Sequence, residues 1–559
     1  MADARLQGSR GSLIRATPVI WSCVYVLIAV VAGVVVWVVG HRGLFLCDQS
    51  GVFDGGWRLM QGQVMYRDFF TPYPPVVFLI QWLFFRIAGV DFSAMVLAAA
   101  VVNALAALCV MRIIRRVLPD AQFRPAALAG GLLTAVWFQA PFGTLWFEQT
   151  SFFFNLAALT LVIETTHSSE RRAACLRVAA GCSLALAILS KQTAGTVVLP
   201  VPLATAVMLS MSRWRKTILE LSAGLLLVFA LFGLWLVAFS SPTGFWRSVI
   251  VMSRELGASR GRGLRSLAFI LQVQLTWGYV WKPITLVFIF AVSRVAFRSA
   301  LRKVNVVMAC WLILGYIFFQ NIFAALTLNE PENGIGYLGL INGLAFGLCL
   351  PAMWRPRFAQ LRIAGLLVSV PLLVVSAYYI IAKTTFDGWT FSAMRTVQEF
   401  GHSTRFDEQV NVPGASRLVW GNPTFVGPRV GPRMELTRKD FENVNAWLAK
   451  ANINFFVFPD STILYGLHHK VSPQPWLYLF EGHSFRESDL PQIDITILRS
   501  LQKNKVGVVV LEKVSYLENH KLLHKMPQLD AWIHNNFEKT AEFGIYEVWV
   551  LRSEQLSAS

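Results

Sequence analysis

Three aspartates, Asp48, Asp54 and Asp68, follow the first long apolar run of the chain. Carboxylates in such a position can cap a helix, bind a divalent cation, or remove a proton from a hydroxyl group. Asp48 and Asp54 do not share one face of the short helix predicted over 49–61, but Asp48 can cap this helix. Both a capping role and a chemical role therefore stay open for these acids.

Two more charged side chains could complete such a site. Glu148, in WFEQTS, stands at one end of a predicted span, where it could hold an acceptor, share a metal with Asp48, or be a solvated loop residue. Lys191 interrupts an apolar stretch just before Gln192. Its ammonium group could contact a phosphate, or it could snorkel to the membrane interface.

Arginines recur in the segment from Ser240 to Thr276. A guanidinium group matches phosphate oxygens through paired hydrogen bonds, but it also binds anionic lipid headgroups non-specifically. The segment predicts a phosphate contact or a headgroup contact, with Arg254 and Arg260 as the candidates for substrate. The arginines are Arg247, Arg254, Arg260, Arg262 and Arg265.

The composition determines which elements must position these groups. The 559 residues are 55% hydrophobic and only 15% charged, which is too apolar for an ordinary soluble protein. About eleven apolar runs are long enough to span a bilayer, and the first, Pro18 to Gly40, reads as a retained helix because it lacks a cleavage site. We therefore predict a polytopic α-helical membrane protein.

The runs after the first are at about 92–114, 125–141, 146–164, 173–190, 194–211, 217–239, 277–297, 304–327, 335–352 and 362–382.

The charge distribution predicts the orientation. The net charge is +18, yet basic and acidic residues are equal in number from Lys383 onward, so the excess belongs to the membrane part. Its arginine and lysine clusters all fall on one side if the N-terminus is cytoplasmic, with PPVVFLIQWLFFRIAGV (74–90) taken as an interfacial helix. This orientation places the loop 41–90, Glu148 and Lys191 on the extracytoplasmic side. Nucleic-acid binding is excluded because no basic stripe with interleaved aromatics occurs.

The last part of the chain has a different pattern. The apolar runs 453–458, 506–511 and 545–551 predict strands, and they alternate with predicted helices at 438–451, 492–503 and 527–539. Thr437 and Asp440 are spaced as an N-terminal capping pair. We predict a transmembrane domain over 1–382 and an extracytoplasmic soluble α/β domain over 383–559.

The stretch YRDFFTPYPP (66–75) carries a resemblance. With Gly62 before it, the chain resembles the first outer loop of bacterial GT-C glycosyltransferases, the superfamily of the dolichyl-phosphate-mannose-protein mannosyltransferases and the aminoarabinose transferases. Their loop has an early acid and then a pattern like G-x-x-x-Y-x-D-F…P-P that leads into an interfacial helix. Relatives often carry two adjacent acids at the first position, but this chain has Asp48-Gln49, so no metal is assigned. If a divalent metal is bound, Asp48 and Glu148 would be its ligands. No other cofactor is expected.

The resemblance implies a function and a set of roles. It implies an enzyme of the bacterial cytoplasmic membrane that moves a sugar from a polyprenyl-phosphate donor to an extracytoplasmic glycan, lipid or protein, with inversion. Asp48 would be the general base, and Lys191 with loop arginines would contact the donor phosphate. Asp54 and Asp68 would be structural or would orient sugar hydroxyls, and the remaining substrate-binding candidates are Tyr66, Arg67, Glu148 and Gln192.

Two alternatives stay open. A lipid-linked polysaccharide polymerase or ligase also uses many spans and outer arginines, but it usually lacks a large terminal α/β domain. A non-enzymatic transporter of lipid-linked sugars is expected to carry ionisable residues at mid-span, whereas the acids here cluster at the ends of spans.

Overall fold

A computed structural model describes residues 18–44, 46–118, 124–139, 143–252, 254, 304–327, 336–354, 406–421, 424–426, 434–515 and 518–552. The predicted spans at 277–297 and 362–382, together with Arg260, Arg262 and Arg265, lie outside these residues.

The described part of the first 354 residues is helical. Its helices are α1 (Pro18–Gly40), α2 (Asp48–Met60), α3 (Val76–Ala88), α4 (Phe92–Val117), α5 (Arg124–Trp137), α6 (Phe147–Glu164), α7 (Glu170–Ser190), α8 (Gln192–Val198), α9 (Pro200–Leu209), α10 (Trp214–Phe239), α11 (Pro242–Phe245) with the π-helical turn Trp246–Val251, α12 (Val304–Thr327) and α13 (Leu338–Trp354).

Long apolar helices confirm a multi-pass membrane protein. Among the described residues, five stretches are long and apolar enough to cross a bilayer, namely Trp21–Gly40, Phe92–Val117, Glu170–Ser190, Gln192–Leu209 and Met211–Phe239. The total of about eleven spans stays a prediction. The predicted helix after Pro75 is present as α3, and the short helix predicted over 49–61 is α2.

Helix α4 packs against both α1 and α5. The amide nitrogen of its buried Asn103 donates to the carbonyl oxygens of Ala32 in α1 and Ala135 in α5, each at 2.9 Å. An amide buried among apolar helices must satisfy its donors within the protein. These hydrogen bonds therefore fix α1 and α5 against α4.

Two glycines let α7 and α10 pack backbone to backbone. A Cβ atom at Gly181 would lie 1.9 Å from the carbonyl oxygen of Leu221, and one at Gly224 would lie 1.9 Å from that of Val178. Small residues permit such close approach between membrane helices. The α7–α10 crossing therefore requires glycine, which has no side chain, at both positions.

Gly224→Ala is accordingly expected to destabilise the protein by about 1–3 kcal/mol, the usual cost of overpacking. The matched control is Gly233→Ala on the same helix, where a Cβ atom would meet nothing within 4 Å. Thermal unfolding in detergent checks the pair, and an equal melting temperature for the two variants would contradict the close contact.

The C-terminal part contains the strands. Four short strands, β1 (Phe406–Gln409), β2 (Val419–Gly421), β3 (Thr424–Val426) and β4 (Met434–Leu436), form two antiparallel pairs. They are followed by α14 (Arg438–Ala451), β5 (Phe455–Phe458), α15 (Ile463–Leu467), α16 (Leu490–Lys503), β6 (Val508–Glu512), α17 (Pro527–Asn536), β7 (Phe537–Phe543) and β8 (Tyr546–Leu551).

The larger sheet has the order β5-β6-β8-β7, with β5 and β6 parallel and the other pairs antiparallel. The three predicted strands correspond to β5, β6 and β8, and the capping pair of Thr437 and Asp440 is present at the start of α14. That this part is a separate extracytoplasmic domain stays a prediction.

The helix predicted over 527–539 is wrong at its end. Helix α17 stops at Asn536, and 537–543 form the edge strand β7. Phe537 is buried while the next three residues are exposed, and Gly544 has a positive φ of 56°, which suits the tight turn into β8. Residues 537–543 therefore pair with β8 in a hairpin and do not continue the helix.

The C-terminal part packs on α2. A Cβ atom at Gly466 in α15 would lie 2.5 Å from the ring of Phe53, and the indole of Trp57 donates to the carbonyl oxygen of Lys470 at 2.8 Å. The Arg58 guanidinium donates to the carbonyl oxygen of Gln474 at 2.6 Å. Helix α2 is therefore held between the membrane helices and the C-terminal part.

Candidate active site

Asp48 is the first residue of α2. The N-cap position is Cys47, which makes no side-chain capping hydrogen bond, so the expectation that Asp48 caps this helix is wrong. As an acid in the first turn, Asp48 lies where the helix dipole favours negative charge. The helix therefore positions the Asp48 side chain, but this side chain does not cap the helix.

Glu148 and Lys191 form an ion pair. Glu148 lies in the first turn of α6, and Lys191 is the extended residue between α7 and α8. The Lys191 Nζ is 3.2 Å from the Glu148 Oε1, with the side chains 13% and 4% exposed, respectively. A buried charge needs such a partner, so the solvated-loop interpretation of Glu148 does not hold.

Tyr73 completes this pair and was not singled out from the sequence. Its ring stacks on that of Phe147 with centroids 3.9 Å apart, and the Lys191 Nζ lies 4.4 Å from its centroid. A cation over an aromatic face is stabilised by the ring quadrupole. The two prolines after Tyr73, which predicted the start of α3, were the signal that this residue has a fixed position.

The electrostatics join Asp48 to this pair. Burial and, next, the negative charge of Glu148 raise the pKa of Asp48 while Lys191 lowers it, and the net result is a pKa of about 7 instead of the ordinary 3.8. A carboxyl group with a pKa near neutrality can be half ionised at working pH, which suits a general base. Asp48, Glu148 and Lys191 therefore belong to one cluster, although 143 positions separate the first from the last.

The C-terminal part adds two carboxyl groups near this cluster. Phe458 and Leu511 pair in parallel register, so Asp460 and Glu512 emerge at the same edge of the sheet. The Ser461 N–H donates to the Glu512 Oε1 at 2.7 Å, and burial and the adjacent Asp460 hold the pKa of Glu512 well above its usual range. Asp460 also raises the pKa of Asp48. Sequence reasoning missed both acids, although each follows a predicted strand.

Asp54 has a different environment. Its side chain and that of Arg58 are both fully buried, and the Arg58 Nε lies 2.9 Å from the Asp54 Oδ2. The Ser472 hydroxyl donates to the other carboxylate oxygen. Burial raises the pKa of Asp54 while Arg58 and Ser472 lower it. With both oxygens engaged, the geometry favours the structural role over contact with sugar hydroxyls.

Tyr66, Arg67 and Asp68 form a turn beside the end of α10. Tyr66 is fully buried with a positive φ of 65°, and its hydroxyl donates to the carbonyl oxygen of Tyr73 at 2.9 Å. Arg67 and Asp68 pair at 2.8 Å and are 52% and 34% exposed. Arg67 also donates to the carbonyl oxygen of Phe239 at the end of α10. The turn thus links the loop to a membrane helix.

The remaining candidates lie around this loop. The Gln192 amide donates to the carbonyl oxygen of Pro72 at 3.3 Å and to that of Val249 at 3.4 Å, which places it beside Tyr73. Arg254 is exposed, and Arg260 lies outside the described residues. The structure thus brings together Asp48, Glu148 and Lys191, and it shows no metal-binding group of three or more His, Cys, Asp or Glu residues within the described part of the chain.

Comparisons with known proteins agree with this architecture. Residues 72–237 match the family described as dolichyl-phosphate-mannose-protein mannosyltransferase. ArnT from Cupriavidus metallidurans in the apo state is 16% identical, with 96% of this chain and 98% of that chain covered and a TM-score of 0.55. The same protein bound to undecaprenyl phosphate is 15% identical, with 96% and 99% covered and a TM-score of 0.53. No curated protein sequence matches the chain.

The chain therefore shares the fold of ArnT, and its resemblance to the GT-C glycosyltransferases is confirmed. The matched segment runs from Pro72 through most of α10 and contains Tyr73, Glu148 and Lys191. The chain is similar in particular to ArnT, over nearly its whole length.

Proposed function

We propose that the protein is a glycosyltransferase of the bacterial cytoplasmic membrane that transfers a sugar from a polyprenyl-phosphate donor to an extracytoplasmic acceptor, with inversion. The observation that carries this proposal is the cluster of Asp48, Glu148 and Lys191, in which an acid of near-neutral pKa lies within electrostatic reach of a half-buried cation. The match of residues 72–237 and the fold shared with ArnT, which was solved with undecaprenyl phosphate, support it.

The reaction assigns one task to each charge. An acceptor hydroxyl attacks the anomeric carbon, the new carbon–oxygen bond forms as the bond to the phosphate oxygen breaks, and the electron pair leaves with the polyprenyl phosphate. Asp48 takes the proton of the hydroxyl, and Lys191 neutralises the departing phosphate. Glu148 holds Lys191 in place until the phosphate arrives, because the two groups are already 3.2 Å apart.

The same proposal covers the organisation of the chain. Residues 1–382 form the transmembrane domain with the N-terminus in the cytoplasm, and 383–559 form the extracytoplasmic domain that closes the site from outside. The acceptor is a glycan, a lipid or a protein.

The test of the function is sugar release and transfer by the purified protein on a panel of radiolabelled polyprenyl-phosphate sugars. Turnover on one donor of the panel is expected. Binding of polyprenyl-phosphate sugars without turnover on any of them would favour the transporter instead, since a carrier needs the same lipid contacts but no base.

Lys191→Gln is expected to weaken binding of polyprenyl phosphate about tenfold or more, because a charge-assisted hydrogen bond to the phosphate is lost. Glu148→Gln is the matched variant, since it breaks the same ion pair but leaves the lysine to meet the phosphate. Equilibrium binding to both proteins checks the assignment. If the pair were purely structural, both variants would lose thermal stability alike and neither would change phosphate affinity.

A further inference from the structure

A cavity of about 610 Å³ lies between three parts of the chain. The turn at Tyr66, the segment 241–252 after α10, and residues 476–493 of the C-terminal part line it. Its size is in the range of small-molecule sites, which often form where separate parts of a fold meet. Asp48, Glu148 and Lys191 are not among its lining residues.

The charge of the lining is positive. Arg67, Arg247 and Arg486 line the cavity, and Asp489 is the one acid among its lining residues. Asp489 accepts a hydrogen bond from the backbone N–H of Arg486. Arg247 is exposed and has no carboxylate within 4.0 Å among the residues that the structure describes. A guanidinium without a protein anion favours a ligand that brings one.

The lining also holds an unused hydroxyl and two aromatic rings. Ser484 is only 9% exposed, and its Oγ makes no hydrogen bond with any residue that the structure describes. Phe70 and Trp476 have ring centroids 5.6 Å apart, and the backbone N–H of Phe70 donates to the carbonyl oxygen of Pro475 at 2.7 Å. Aromatic faces bury the C–H face of a sugar ring, while an unpaired buried hydroxyl is costly unless a ligand satisfies it.

The cavity adjoins the candidate active site through its own wall. His483, next to Ser484, lies with its Nε2 3.0 Å from the hydroxyl of Tyr73, whose ring lies under Lys191. On the other side, Arg67 reaches the carbonyl oxygen of Phe239 at the end of a membrane helix. A ligand in the cavity would therefore lie at the end of α10, with His483 and Tyr73 between it and Lys191.

We propose that this cavity binds the acceptor and that the acceptor is an anionic saccharide, a sugar that carries a phosphate or a carboxylate group. The inference rests on the proposed glycosyl transfer and adds the class of acceptor to it. Arg247 pairs with the anion, the rings of Phe70 and Trp476 pack on the sugar, and the Ser484 hydroxyl bonds to a sugar oxygen.

The test measures binding without donor and without turnover. Glucose 1-phosphate, glucuronate and glucose serve as probes in equilibrium binding to the full-length protein in detergent. The wild type is expected to bind the two anionic sugars at least tenfold more tightly than glucose. Arg247→Gln is expected to weaken both about tenfold, and Trp476→Ala to weaken all three. Equal binding of glucose and the anionic sugars, or binding of none of them, would overturn the proposal.

Two controls keep the outcomes apart. Arg552→Gln changes an exposed arginine outside the cavity and should leave all three affinities unchanged. Polyprenyl phosphate should bind Arg247→Gln as well as it binds the wild type, and a selective loss of this lipid would assign the cavity to the donor instead. A wild type that binds anionic sugars but turns over no donor would remove the transfer reaction and keep the site.

Discussion

Asp48→Asn is expected to lower turnover about a thousandfold while donor binding is retained, because general-base catalysis typically contributes a factor of roughly 10²–10⁴. Asparagine keeps the shape of the side chain but cannot take the proton of the acceptor hydroxyl. The measurement is the initial rate of sugar transfer together with the affinity for the lipid donor. Glu408→Gln is the matched control, since it makes the same carboxylate-to-amide change at a surface ion pair with Arg438.

The pH dependence follows from the raised pKa of Asp48. Since its pKa is about 7 rather than 3.8, the carboxyl group is protonated and inactive below neutrality. The ratio kcat/KM, which reports the free enzyme, should therefore rise tenfold per pH unit below about 7 and level off above it. A profile that is flat between pH 5 and 8, or equal turnover in Asp48→Asn and the wild type, would move the base to another carboxylate such as Glu148.

The pKa shift of Asp48 also has a consequence for stability. A carboxyl group with a higher pKa in the folded state than in the unfolded state binds more protons when folded, between the two values. Its contribution is therefore most favourable below pH 4 and is lost as the pH rises through about 7. Asp48→Asn removes this loss, so the variant is expected to be at least as stable as the wild type at neutral pH.

Arg58→Met is expected to destabilise the protein by about 3–5 kcal/mol, the usual cost of removing one partner from a buried ion pair. The variant leaves Asp54 fully buried without its cation and leaves the carbonyl oxygen of Gln474 without its donor. Unfolding by denaturant in mixed micelles measures the loss. Lys521→Met, at an exposed pair with Glu518, is the control and should cost no more than about 1 kcal/mol.

A double variant separates the ion pair from simple packing. Asp54→Leu with Arg58→Met replaces both charges by apolar side chains, which is often neutral or stabilising relative to the broken pair. The double variant should therefore be more stable than Arg58→Met alone. If it is less stable than Arg58→Met alone, then the Asp54 carboxylate stabilises α2 even without its cation, through the hydrogen bond that it accepts from Ser472.

The sequence predicted the local elements better than their assembly. The runs at 18–40 and 304–327 have the bounds of α1 and α12, because an apolar run of membrane length leaves a chain few alternatives to a helix. The strand β7 was missed because 537–543 alternate only weakly, and the hairpin partner that stabilises them lies beyond Gly544. Local pattern cannot report such a partner.

For the candidate site, too, the sequence indicated individual residues but not the contacts between them. Asp48, Glu148 and Lys191 could each be singled out, since each is a charge at the end of an apolar run. Their contact could not, because a single sequence carries no information on which helix ends meet. Asp460 and Glu512 were missed although β5 and β6 were predicted as strands. Only the parallel pairing of these strands brings their following residues to one edge.

The contact between α2 and the C-terminal part can form only late in synthesis of the chain. Asp54 leaves the ribosome 418 residues before Ser472, the residue that completes its hydrogen bonding. At roughly 5–20 residues per second, about 20–80 s separate the two. During that interval the first loop has the ion pair of Asp54 and Arg58, but the C-terminal part does not yet pack on it. We therefore expect this loop to be the segment most accessible to proteases and chaperones during synthesis.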